Sequence, residues 1–435
     1  MTNTKMEISN RPQKGMADWF PEEYTIRKYI FDTWRKVCKS FGYEEYLAPL
    51  LEDANMYRAK SGGDVGGKEL TIVTDRAGRE LAIRPEMTPS VTRMISQIYT
   101  SNPKPIRYFS IANFYRNQKP QRGRNREFWQ LNYDMFGSND IEGDIEIIQM
   151  GIEIMLAFNP PKGSFIAAIS NRKMVDYILD QEVKVNDEQK IEVVRMLDKW
   201  GKLEKEDFLE MLKDFGLREE QISSLITFIE SENKEELLKN FPKIKGNEGY
   251  IDLEKTIDTL ISLGYGDWIK FKSSVVRGLD YYTGMVFEMF DNNPRNIRSM
   301  FGGGRYDGLA GIFGSETFPA VGCAPGDETT KLFLEDWSLI ERIRKEVKEI
   351  IYYLPLLSED LRVDTYKLAI ELRRKGMNIV NGLEMQTVGK ALRYANQRVF
   401  DKILLYGTDE KAQNTITVKD LNTGEQKSLK IEDIT

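Results

Sequence analysis

The stretch Tyr115–Gly137, YRNQKPQRGRNREFWQLNYDMFG, decides the fold. Its second half alternates. Read as a strand over 124–136, it puts Arg124, Arg126, Phe128, Gln130, Asn132, Asp134 and Phe136 on one face. Asn125, Glu127, Trp129, Leu131, Tyr133 and Met135 fall on the other, a largely apolar set suited to packing. The first face is a polar row, with two guanidiniums at one end and an amide and a carboxylate further along. Guanidiniums grip phosphate in bidentate fashion and keep their charge out of water. A carboxylate beside an amide accepts from an ammonium or an imidazole N–H. Upstream, Tyr108, Phe109, Phe114 and Tyr115 alternate with small or apolar residues, as a strand feeding a loop does. From Lys104 to Arg126 the chain carries seven basic side chains and no acid. A solvated loop would show the same charges, but the interleaved aromatics favour a polyanion, nucleotide or nucleic acid, as the partner.

Around this stretch lie 435 residues. One core stops growing at roughly 250–300, so two or three domains are expected. Apolar residues (41%), charged residues (30%) and a mean hydropathy of −0.47 describe a chain able to bury a core, not a disordered one. The net charge of −6 is unevenly spread, with −7 on residues 181–260 and +2 on residues 341–435. No apolar run is long enough to span a bilayer, and MTNTKMEISNRPQKG lacks the apolar segment of a secretory signal. Two cysteines, Cys38 and Cys323, make no disulfide framework, so a cytoplasmic location is expected. Histidine is absent altogether. That excludes a serine triad, a His-ligated metal and any His acid–base step, and leaves the chemistry to Arg, Lys, carboxylates, Tyr or a bound ion.

Coarse periodicity places the remaining elements. Residues 22–41 put Ile26, Tyr29, Ile30, Trp34, Val37, Cys38 and Phe41 on one helical face, closed by Gly42. A short strand over 43–48 runs into Pro49, and a helix is expected near 141–158. From about 185 to 265 the text is short, acidic, Lys/Glu/Leu-rich helices, a helical insertion, because strand-and-glycine text resumes at Val275. Residues 275–290 and 296–334 read as strands broken by GGG and by small-residue turns. The tail alternates strands at 349–354, 378–383, 402–407 and 415–421 with helices at 359–375 and 387–398, a separate α/β domain.

Three more clusters carry chemical groups. VVRGLDYYTGMVFE (Val275–Glu288) packs Arg277, Asp280, Tyr281 and Tyr282 between Gly278 and Gly284. A tyrosine offers a rigid apolar wall with one hydroxyl, which suits a small polar ring. FGGGRYDGLAGIFG (Phe301–Gly314) and PAVGCAPGDE (Pro319–Glu328) let backbone approach a ligand or another strand closely, yet match neither a Walker loop nor GxGxxG. LAIRPEMTPSVTRM (Leu81–Met94) offers Arg84, Glu86 and Thr88 at the mouth of a helix. Taken singly, each also reads as core tyrosines or glycine turns.

In this order the segments resemble one family along almost the whole chain, the class II histidyl-tRNA synthetases. KGMADWFPEE (14–23) and YLAPLLE (46–52) resemble its start and its motif 1, with Pro49 at the motif proline. IRPEMT, YRNQKPQRGRNREFWQ and RGLDYYTGMVFE resemble its substrate loop, motif 2 and histidine-specific segment. GGGRYDGL and AVGCAPGDE sit where motif 3 belongs, and TVKDLNTGEQ resembles its anticodon-binding domain. The resemblance implies an α+β catalytic domain on an antiparallel sheet (1–180 and 266–338), a helical insertion (181–265) and a C-terminal α/β anticodon-binding domain (345–435). It also implies a homodimer with Pro49 at its interface, no membrane partner, and ATP-dependent attachment of histidine to tRNA(His) through histidyl-adenylate, with Mg²⁺.

By position, the resemblance makes Arg116 and Arg277 the catalytic pair across the α-phosphate, with Gln118, Arg124 and Arg126 serving the rest of ATP. Glu86, Thr88 and Gln130 are implied to hold the substrate's α-ammonium; Asp134 and Tyr282 to pair with opposite imidazole nitrogens; Tyr281 to line the pocket. Some positions depart from the family. Glu328-Thr329 stands where many members carry Glu-Arg, so the usual arginine for the γ-phosphate is missing, with Lys331 or Arg305 as candidate replacements. Gln118 and Asp134 replace the usual glutamates. The alternative reading is a catalytically inactive regulatory subunit in histidine biosynthesis, or an RNA-binding sensor. Regulatory relatives typically lack the C-terminal domain and erode the arginines, whereas both are intact here.

Overall fold

The computed structural model describes residues 9–59, 61, 64–201, 203–277 and 281–434. Gly278 and Asp280, named above in the tyrosine segment, lie outside the described residues. The chain divides into two compact units between Ile343 and Arg344. No helix among the described residues is long and apolar enough to cross a membrane.

Local signals start the first unit. Pro21 in the first helical turn, with Glu22 and Glu23 at the positive end of the helix dipole, opens α1 (Pro21–Ser40). Ile26, Ile30, Trp34, Val37 and Cys38 form its buried stripe. Of the strand expected at 43–48, β1 (Glu44–Glu45) is formed, with the Tyr46 N–H adding a bond to the Phe109 carbonyl at 2.8 Å, and Thr88–Ile98 forms α2. β2 (Ile106–Tyr115) and β3 (Glu127–Phe136) then pair in register from Ile106 opposite Phe136 to Tyr115 opposite Glu127. β3 begins three residues later than the alternation suggests, because Gln121 and Arg124 pair with each other across a tight turn.

After α3 (Ile141–Leu156) come β4 (Phe165–Asn171), a run of short helices from Asp187 to Leu260, β5 (Ile269–Phe271), β6 (Met285–Asp291), β7 (Ser299–Arg305), β8 (Ala320–Cys323) and α4 (Asp327–Asp336). They build one sheet in the order β1-β2-β3-β8-β7-β6-β4-β5. The six inner strands are antiparallel, as expected, and only the edge strands β1 and β5 join in parallel. Two expectations over 296–334 fail. The three glycines do not break a strand; they occupy the middle of β7, where a Cβ on Gly303 would lie 2.1 Å from the Gly322 carbonyl oxygen. Residues 327–336 are helical, because Asp327 and Glu328 follow Gly326 as first-turn acids.

The alternation along β3 separates two faces. The Trp129 ring stands 5.4 Å from Phe31 of α1, and the Tyr133 hydroxyl donates to the Ile147 carbonyl of α3 at 3.2 Å. On the opposite face, Phe136 joins one apolar cluster with Val91 of α2, Val286, Tyr281, Tyr282 and Tyr306. That second face is where the polar row of β3 opens.

The C-terminal unit is a five-stranded sheet of β9 (Ile351–Leu356), β10 (Asn378–Met385), β11 (Lys402–Leu405), β12 (Thr415–Asp420) and β13 (Gln426–Lys430), in the order β10-β9-β11-β12-β13. Leu354 packs with Leu368 and Leu372 of α5 (Arg362–Arg374), while Tyr353 packs with Ala391 and Ala395 of α6 (Val388–Gln397). Alternation along β9 therefore sends neighbouring residues to opposite helices. The tail reading missed β13, every residue of which is exposed and so carries no apolar period.

Candidate active site

Register aligns the floor of the site. Asp134 on β3, Gly322 on β8, Gly304 on β7 and Val286 on β6 lie in one cross-strand row. Two residues along, Gly302 pairs with Glu288, and the Ala324 N–H donates to the Gly302 carbonyl. Glycine is required at these crossings. A Cβ on Gly322 would sit 1.9 Å from Asp134 Oδ1, on Gly302 2.2 Å from Arg277 Nη1, and on Gly304 2.9 Å from a Tyr282 ring carbon. The glycines hollow the sheet, and a carboxylate, a guanidinium and a phenol ring fill the hollow.

At one end stands Asp134, buried, with the Tyr306 hydroxyl donating to its Oδ1 at 2.5 Å. Burial pushes its pKa up to about 7, with the Tyr306 hydroxyl pulling the other way. Tyr281 lies 5.0 Å from Tyr282 and 5.8 Å from Tyr306, ring to ring, and donates its hydroxyl to Glu86 Oε2 at 2.9 Å. Thr88, the first residue of α2, adjoins the Tyr281 hydroxyl. Glu86 Oε1 and Asn132 Nδ2 are buried and have no partner among the described residues. An unsatisfied buried polar atom costs about 1–3 kcal/mol, so both oxygen and amide are poised for a ligand's donor and acceptor. Gln130 donates to the Ala324 carbonyl at 3.2 Å, at the near end of the same row.

At the other end are the cations. Arg277 adopts a left-handed backbone (φ 54°), uncommon for a bulky residue, and turns its guanidinium back over β7. It lies 5.6 Å above the Tyr282 ring and donates to Glu288 Oε1 at 3.3 Å, which also accepts from the Ser299 hydroxyl at 3.0 Å. Arg116 lies over Phe128, 5.2 Å from its ring, with Nε donating to the Pro85 carbonyl at 2.9 Å. Both guanidiniums stand over the same face of the sheet, and both side chains are half-buried. Gln118 donates to the Asn125 carbonyl at 2.9 Å, and Arg126 to the Gln118 carbonyl at 3.1 Å. Desolvation, then the like charges of Arg298 and Arg116, hold the Arg124 guanidinium below its ordinary value, although part of its side chain stays exposed. Arg84 does not join them. It is buried under the Pro49 segment, donating to the Ala48 and Asn113 carbonyls at 2.8 and 2.9 Å.

The family model for histidyl-tRNA synthetase matches residues 15–326, and that for an anticodon-binding domain matches 352–435. The chain belongs to the histidyl-tRNA synthetase family. Within that family it is 37% identical over 423 residues to the histidine–tRNA ligase of Leptospira biflexa, covering 97% of this chain and 95% of that one. To the enzyme of the same name from Pyrococcus horikoshii it is 34% identical over 429 residues, with 97% and 96% covered. The fold is also that of the crystal structure of histidyl-tRNA synthetase from Nostoc sp. PCC 7120, with a TM-score of 0.80 at 22% identity and 98% of each chain covered.

Set against the family's motif 3, the structure corrects one expectation. Neither candidate for the missing arginine is available. Lys331 pairs with Glu23 at 3.1 Å and Glu335 at 3.0 Å, and Arg305 is buried on Asp144 at 2.6 Å. Thr329 itself donates to the Met300 carbonyl at 2.9 Å. Asp327 before it is a packing residue: it is buried on Arg27 at 2.5 Å and accepts from the Trp129 N–H at 2.9 Å. Burial pushes its pKa up to about 7 against the pull of Arg27. Residue patterns also missed Tyr306, whose place two residues beyond the glycines gave no sign of its grip on Asp134. No three carboxylates or thiols converge among the described residues, so the side chains do not form a ready-made metal site.

Proposed function

We propose that this chain activates histidine with ATP and attaches it to tRNA(His). One observation carries the reading: a buried carboxylate on a tyrosine and two half-buried guanidiniums share one face of one sheet. Histidine's carboxylate attacks the α-phosphorus, the bond to pyrophosphate breaks, and histidyl-adenylate forms. Negative charge gathers at that phosphorus, and Arg116 and Arg277 stabilise it from fixed positions without moving a proton, which suits a site with no histidine. The ribose hydroxyl of the tRNA's terminal adenosine then attacks the carbonyl carbon and AMP leaves. Gln118, Arg124 and Arg126 serve the nucleotide; Glu86, Thr88 and Gln130 take the α-ammonium.

Asp134 and Tyr282 take opposite nitrogens of the imidazole, with Tyr281 as a wall. Polar groups that only an imidazole satisfies support discrimination of about 10⁴–10⁵ against other side chains. Mg²⁺ belongs to this proposal as an ion carried by the ATP phosphates, which is how it usually enters such sites; among the described residues the side chains supply no cage of their own. Residues 1–180 with 266–338 are the catalytic domain, 181–265 the insertion, and 345–435 the anticodon reader. A homodimer joined near Pro49 is supported by exposed Leu47 (69%) and Leu50 (46%) flanking it. The compartment proposed is the cytoplasm.

The inactive regulatory reading is not favoured, since the relatives similar over 97% of the chain bear the ligase name. The test is ATP–pyrophosphate exchange with each of the twenty amino acids, followed by charging of tRNA(His). Exchange driven by histidine alone is expected; no exchange with any amino acid would favour the inactive sensor instead.

A further inference from the structure

One margin of the site holds more positive charge than its neighbours neutralise. The Gln121–Arg124 turn rests on the start of α4, where a Cβ on Gly123 would lie 3.2 Å from Leu332 and 3.6 Å from Thr329. Arg122 stitches that turn to Asp336 at 2.6 Å and to Asn296, in the loop entering β7, at 3.4 Å. From the other side, the Thr329 hydroxyl bonds Met300 at the start of β7. Arg298 lies in the chain between these two anchor points, next to Ser299, whose hydroxyl shares the Glu288 carboxylate with Arg277. It is exposed, and it has neither a hydrogen bond nor an ion pair among the described residues.

Arg298 and Arg116 are the two cations that act on Arg124, opposed by Glu69 and Asp198. Like charges held together by a folded chain repel unless an anion comes to them, and several guanidiniums converging on one rim match several phosphate oxygens. We infer that Arg298 binds the β- and γ-phosphates of ATP, supplying the cation that Thr329 does not. The inference rests on the ATP-dependent reading above and deepens it. Thr329 is tied to β7 by its own hydroxyl, and Lys331 and Arg305 are committed to Glu23, Glu335 and Asp144. Arg298, by contrast, is committed to no hydrogen bond or ion pair among the described residues.

The test compares ATP with AMP, which lacks the two outer phosphates, on wild-type protein, Arg298→Ala and Arg298→Lys. Arg298→Ala should weaken ATP binding by about 10- to 100-fold, the scale of a lost charge-assisted contact. AMP and histidine affinities should stay within about twofold, since those contacts lie elsewhere. Arg298→Lys should recover part of the loss. Equal losses for ATP and AMP, or none for either, overturn the assignment. Wild-type protein that binds no ATP would instead sink the underlying function, a separate result.

Discussion

A single methyl group at position 322 should separate the two halves of the site. In Gly322→Ala the new Cβ starts 1.9 Å from Asp134 Oδ1 and 2.7 Å from its carboxyl carbon, where ordinary contact begins at 3.4 Å. The carboxylate must therefore retreat by about 1.5 Å, more than any hydrogen bond survives. The Tyr306 bond, now 2.5 Å, is lost, together with the acceptor proposed for an imidazole N–H. Losing one hydrogen bond to a charged group costs about 1.5–3 kcal/mol, so kcat/KM for histidine should fall by about 10- to 100-fold. The new methyl also lies 3.0 Å from the Tyr133 carbonyl oxygen, and such overpacking adds about 1–3 kcal/mol of destabilisation. Pyrophosphate exchange at varied histidine and varied ATP, with a melting curve as control, reads both effects. KM for ATP should hold within about twofold. A folded variant with wild-type histidine kinetics would show that Asp134 does not meet the substrate, and equal losses for both substrates would show that the floor is not divided as described.

Three further outcomes follow from the same geometry. Arg277→Ala should slow single-turnover adenylate formation by about 10²–10³ while leaving the melting temperature nearly unchanged; near wild-type rates would remove Arg277 from the chemistry. Asp134 is held at about 7 in the folded state against an ordinary 3.8, so the folded chain binds the extra proton between those values and loses stability as pH rises through them. Asp134→Asn lacks that cost, so its stability relative to wild type, by urea titration, should grow from about pH 4 and level off above about pH 7, reaching a few kcal/mol. A difference independent of pH would contradict the burial of that carboxylate. Arg27→Ala leaves Asp327 and Glu328 without the cation at 2.5 and 2.9 Å and should destabilise the first unit by about 3–5 kcal/mol, seen by calorimetry. A loss below about 1 kcal/mol would mean the pair is dispensable.

Much of the fold was legible because its strands are half-buried. Ten residues of β3 alternate between Trp129 or Tyr133 packed on helices and Gln130 or Asp134 on the opposite face, and alternation is the one signal that period carries. Where the period stops, so did the reading. Gly302–Gly304 looked like a break, because the reason for glycine is the approach of Arg277, Gly322 and Tyr282 from segments distant in the chain. The edge strand Gln426–Lys430 is exposed throughout and has no apolar face to reveal it. Roles at Asp134 and Arg277 came from resemblance, while their supports, Tyr306, Glu288 and Gly322, became visible only once strands were in register. Arg84, which the sequence offered beside Glu86 and Thr88, stands apart for the same reason. Its neighbours in the chain, Glu86 and Thr88, meet the Tyr281 hydroxyl, but its partners are backbone carbonyls on two other segments.

The most direct test is a crystal structure with the non-hydrolysable sulfamoyl analogue of histidyl-adenylate. The sulfamate, standing in for the α-phosphate, should lie between the guanidiniums of Arg116 and Arg277, with the imidazole bonded to Asp134 and Tyr282. An analogue bound with either guanidinium turned to solvent, or with its imidazole outside the Asp134–Tyr306 pocket, would contradict the account.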